Sequence, residues 1–116
     1  MNKTITLPSG ATVELRDPEE LLKKDRDKVL SYASELEGVM RAVAIQDGII
    51  AVSVASWSFD LIPPSVKLDS LGELKPKDYQ ALIEATQETV KYLFSDFGVS
   101  DDPKATTANF NDLKMF

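Results

Sequence analysis

The stretch GIIAVSVASW, Gly48 to Trp57, is apolar or small at every position, and it constrains the rest of the chain more than any other feature. A segment with no polar face has to be buried on all sides, so the fold must be built around it. The run is too short to cross a bilayer. Its β-branched residues allow a buried strand from Ile49 to Phe59. Helical spacing also fits, with Ile45, Ile49 and Val52 on one face and Ile50, Val54 and Trp57 on another. Periodicity cannot choose between them, so residues 49–59 stay open between helix and strand. The neighbouring helices favour a buried helix, because a lone extra strand needs a partner.

The segments around this run are easier to read. In KTITLPSGATVELR, Ile5 and Leu7 alternate with threonines, as do Val13 and Leu15 with Thr12 and Glu14. Pro8-Ser9-Gly10 supplies the turn, so a β-hairpin is expected. It has to pack on something, since an isolated hairpin is marginal in water. Asp17 is a good helix N-cap, Pro18 suits the first helical position, and Glu20 completes a capping-box pattern. Leu22, Val29, Ala33, Leu36 and Met40 then form one apolar stripe, with Gly38 able to end, kink or weaken the helix. Pro63-Pro64 stops the apolar run, and DSLGELKP suits a short helical turn capped by Asp69 or Ser70. A last amphipathic helix is expected over 76–97, with Tyr79, Leu82, Ile83, Thr86, Val90, Leu93, Phe94 and Phe97 inward and Gly98 as its stop. The fold class is therefore α+β, mainly α: an N-terminal hairpin packed on about three helices. Residues 1–98 make one globular domain. Residues 99–116 lack sustained periodicity and are expected to be a flexible C-terminal tail.

The sequence excludes much chemistry. It has 116 residues, no cysteine and no histidine. Disulfides, thiolate nucleophiles, imidazole bases and the usual zinc ligands are thus unavailable to it. A net charge of −6 disfavours nucleic acid and anionic membranes as partners. No phosphate loop, dinucleotide turn or nucleophile elbow is present. Asp25 with Asp27, and Asp101 with Asp102, are the closest carboxylate pairs. Residues two apart on a helix point to different sides, and a solvated surface accounts for both pairs better than a metal does. No cofactor, metal site or catalytic residue is expected. No signal-peptide pattern follows Met1, so the expected location is cytoplasmic.

The candidate protein-binding residues are Trp57, Phe110 and Phe116. Trp57 has two readings: a core aromatic between the hairpin and the last helix, which is favoured, or an anchor for a partner. Phe110 and Phe116 are apolar docking points in the tail.

The order TLPSGATVELRDPEEL, an amphipathic helix, an apolar run ending in WSFD, a proline connector, SLGEL and DYQALIEAT resembles tail assembly chaperones of long-tailed bacteriophages. The resemblance covers most of residues 4 to 98 and rests on the order of short motifs, with no catalytic signature among them. It implies a non-enzymatic protein in the host cytoplasm that binds the tape measure protein, keeps its apolar helices soluble and helps recruit tail tube protein. It also implies that a longer, frameshifted product can accompany this one. A structural tail or connector subunit is the first rival reading, and a small regulatory protein binding a host protein is the second. The sequence leaves homo-oligomerisation open.

Overall fold

A computed structural model describes residues 2–94. The expected hairpin is formed by β1 (Lys3–Thr6) and β2 (Thr12–Leu15), antiparallel with Ile5 opposite Val13. Gly10 takes a φ of 94° in the turn, which would strain any residue with a Cβ. The turn is closed by Leu7 N to Ala11 O at 2.7 Å and Gly10 N to Leu7 O at 2.8 Å. The alternation places Leu7, Val13 and Leu15 in the core.

Asp17 caps as expected, accepting from the Glu19 amide at 3.0 Å, but what it caps is a single 3₁₀ turn, Pro18–Glu20. The chain is extended at Leu21 and Leu22, and α1 (Lys23–Tyr32) then starts afresh. Its N-terminal amide, that of Leu22, is held by Asp25 Oδ2 at 2.8 Å. Gly38 neither ends nor kinks one long helix; with φ at 62° it begins α2 (Gly38–Ser53). The expected stripe is therefore divided between two helices. Val29 and Ala33 are buried, whereas Leu22, Leu36 and Met40 are exposed and Leu21 takes the inward position.

The central apolar run is helix and strand in succession. α2 reaches Ser53 and passes without a loop into β3 (Val54–Trp57). The strand finds its partner in β2, antiparallel, with Val13 opposite Trp57 and Leu15 opposite Val54 across an irregularity in register. The sheet is thus three-stranded, in the order β1-β2-β3, rather than a bare hairpin. Phe59 lies beyond the strand. A second 3₁₀ segment, Leu68–Glu73, follows the proline pair, preceded by Lys67 with no side-chain cap from Asp69 or Ser70.

The last helical stretch is two helices, α3 (Pro76–Ala85) and α4 (Gln87–Leu93). Thr86 separates them: its Oγ1 donates back to Leu82 O at 2.8 Å and approaches Ile83 O at 3.2 Å, competing with the regular ladder. Leu82, Thr86, Val90, Leu93 and Phe94 are buried as expected, with Tyr79 and Ile83 half-buried. The expected roles of Phe97, Gly98 and the tail at 99–116, with Phe110 and Phe116, lie outside the described residues.

The described residues form an α+β fold, mainly α. Two apolar clusters flank α2. Ile45, Ile49 and Val52 face α1 and α4 together with Val29, Leu93 and Phe94. Ile50 faces the sheet and α3 together with Val13, Leu15, Val54 and Leu82. This two-sided burial is why residues 48–53 carry no polar face. At Gly48 the α1–α2 approach is so close that a Cβ would stand 2.9 Å from Tyr32 Cδ2.

Candidate functional site

Val39, Val43 and Ile50 lie four and then seven residues apart, so they share one face of α2. The two ends of that face differ. Ile50 is 0% exposed, covered by the sheet and α3. Val39 is 64% exposed and Val43 37%, with Met40 at 62% and Leu36 at 38% beside them. The stripe that builds the core thus continues past its cover and emerges as a bare apolar face. Tyr79 marks the boundary, its hydroxyl donating to Asp47 Oδ1 from α3 to α2.

The polar groups around this face are unevenly placed. Glu35 and Glu37 are exposed at its N-terminal end. Arg41, which begins the second turn of α2, is folded back: its Nη1 donates to Ala33 O at 2.9 Å, at the end of α1. The guanidinium therefore satisfies the last turn of α1, where a helix dipole favours a cation. Burial pushes the Asp47 carboxyl above the usual carboxylate range, and the hydrogen bond from Tyr79 acts against that.

Trp57, a core aromatic or partner anchor by sequence, lies beyond the opposite end of α2 from Val39. It is half-buried against the sheet-side cluster. Its Nε1 donates to Leu61 O at 3.0 Å, and its ring meets Phe59 edge-on at 5.1 Å between centroids. This pins the start of the proline connector, which Lys28 Nζ also holds through Ser65 O at 3.0 Å. Trp57 is thus half-buried beside the sheet-side cluster and not in the core, and it is not brought to the exposed face of α2. Phe110 and Phe116 lie outside the described residues. Leu36 and Met40 were visible in the sequence only as core positions; the signal was an apolar stripe running across a glycine at a helix boundary.

The expected solvated surface holds for Asp27 but not for Asp25, which is buried. Asp25 receives Leu22 N and, at 3.3 Å, Arg16 Nη1, while Asp27 takes Lys23 Nζ at 2.8 Å. Arg16 also donates from Nη1 to Val52 O at 3.1 Å and from its amide to Ser53 O at 2.7 Å, fastening β2 to the α2–β3 junction. Among the described residues no group of three or more carboxylates is placed to hold a metal ion. A wide depression of about 1050 Å³ lies between the first 3₁₀ turn and α4, bordered by Pro18, Leu22, Arg26 and Tyr92. Two charged side chains on its wall are already engaged: Lys23 with Asp27, and Asp17 with the Glu19 amide.

No helix among the described residues is long and apolar enough to cross a membrane. Comparison of the chain with protein-family models, with curated proteins and with solved structures finds no match.

Proposed function

We propose that this chain is a non-enzymatic tail assembly chaperone of a long-tailed bacteriophage, acting in the host cytoplasm. Its task is to hold apolar helical segments of the tape measure protein in solution and help recruit tail tube protein. The single observation that carries this reading is the bare apolar face of Val39, Met40 and Val43 on α2, with Leu36 exposed just before it. An amphipathic helix laid on such a face buries its own apolar stripe, which is the usual way a groove or helix surface captures a helix. The net charge of −6 then keeps the complex apart from its neighbours in solution. The order of motifs from TLPSG to DYQAL supports the same assignment.

Co-expression tests it. The tape measure protein is expected to be soluble with this chain and to aggregate without it, while purified virions contain none of it. Stoichiometric presence in mature tails would replace the chaperone with a structural subunit. Capture of tape measure helices should be lost in Val39→Glu and Val43→Glu, and retained in Trp57→Phe.

A further inference from the structure

The apolar face of α2 also says which helices it prefers, an inference that rests on the reading of this face as a docking surface. The rim is acidic. Glu35 and Glu37 stand exposed beside Leu36 and Val39. The nearest cation on α2, Arg41, is turned away into its bond with Ala33 O. At the other end of the face lies the Asp47 carboxyl, bonded to Tyr79. Within α2 the face runs roughly 6 Å from Val39 to Val43, about one helical turn, with Leu36 in the chain just before the helix. We infer that this face takes an amphipathic helix whose short apolar stripe is flanked by lysine or arginine, and that Glu35 and Glu37 select it over stripes with neutral or acidic flanks. Apolar burial supplies the affinity, and the rim supplies discrimination and encounter rate, as charges at an interface edge generally do.

The test uses the full chain and two designed helical peptides carrying the same leucine stripe, one flanked by lysines and one by glutamates. Fluorescence anisotropy at low salt should show the lysine-flanked peptide binding roughly tenfold tighter, the size expected of a few partly exposed charge pairs. The preference should shrink to about twofold or less at high salt, because exposed charges are screened. Glu35→Lys with Glu37→Lys should invert it, in a protein whose circular dichroism is unchanged. Val43→Glu should abolish binding of both peptides.

Equal affinity for the two peptides, or a double variant that keeps the original preference, overturns the inference. So does a chain that sediments as a dimer through this face and binds neither peptide, since a second copy is then the occupant. A chain that prefers the lysine-flanked peptide but leaves the tape measure protein insoluble would instead retire the chaperone reading and leave the selectivity standing.

Discussion

Tyr79 of α3 gives its hydroxyl hydrogen to the carboxylate of Asp47 on α2, and this bond sits where the buried part of the α2 stripe gives way to the exposed part. Both groups are half-buried. Burial, then the hydrogen bond and charge of Asp47, push the Tyr79 hydroxyl well above its ordinary value of 10.0.

Tyr79 should therefore ionise later than an unperturbed tyrosine. Its native pKa is raised, so its contribution is complete below the unfolded value. Above about pH 10 the unfolded chain releases this proton while the folded chain keeps it, so stability falls as pH rises. Tyrosinate absorbance followed alongside circular dichroism should show a late phase that Tyr79→Phe removes. Titration of Tyr79 itself near pH 10 in the folded protein would refute the assignment.

Asp47 gives the opposite end of the pH scale. Its carboxyl is raised by burial, so the folded chain holds a proton that the unfolded chain has already released. Stability should thus decline as pH rises from about 4, the ordinary carboxylate value, towards the folded one. Asp47→Asn keeps an acceptor for Tyr79 and should flatten that decline in denaturant titrations.

Gly48→Ala should destabilise the protein despite alanine's better helix propensity. The new Cβ would stand 3.1 Å from Val29 Cα and 2.9 Å from Tyr32 Cδ2. Overpacking of this kind costs about 1–3 kcal/mol, against a propensity gain near 1 kcal/mol. A fall in melting temperature is expected, and a rise would mean that α1 and α2 separate easily.

Ile50→Ala and Val39→Ala probe one face of one helix. The first empties a fully buried position and should cost about 2–5 kcal/mol; the second should stay within about 0.5 kcal/mol. Equal losses, measured by chemical denaturation, would show that the N-terminal half of α2 is covered in solution.

Asp78, buried at the start of α3, accepts from the Ser9 amide at 3.1 Å and so anchors the hairpin turn to the helix. Asp78→Ala should cost about 1–3 kcal/mol, because the Ser9 amide loses a side-chain acceptor that is itself buried. Hydrogen exchange at Ser9 should accelerate well beyond that at Val13. Unchanged exchange at Ser9 would remove the anchor.

The hairpin was legible because Gly10 and the alternation of Leu7, Val13 and Leu15 are local signals. The inward residues of α3 and α4 were legible for the same reason. The break between those helices was not: a threonine at position 86 has ordinary helix propensity until its hydroxyl turns back on Leu82 O. Nor was the change from helix to strand after Ser53, which depends on β2 offering an edge forty residues away in the chain. The exposed face was hidden for a related reason. Val39 and Ile50 share one face and the same chemistry, and only the placement of the sheet and α3 makes one bare and the other buried.

The loop-free passage from α2 into β3 also orders the assembly of the sheet. β1 and β2 meet across one turn, whereas Val13 reaches Trp57 only after most of the chain between them has been placed. Closing the larger separation costs more chain entropy, so pairs of this kind form late. The third strand cannot arrive alone, since it is the continuation of a helix whose own burial needs α1 and α4. Until then the second edge of β2 stands unpaired, and a nascent chain stalled at that stage carries an open β-edge of the kind through which chains aggregate.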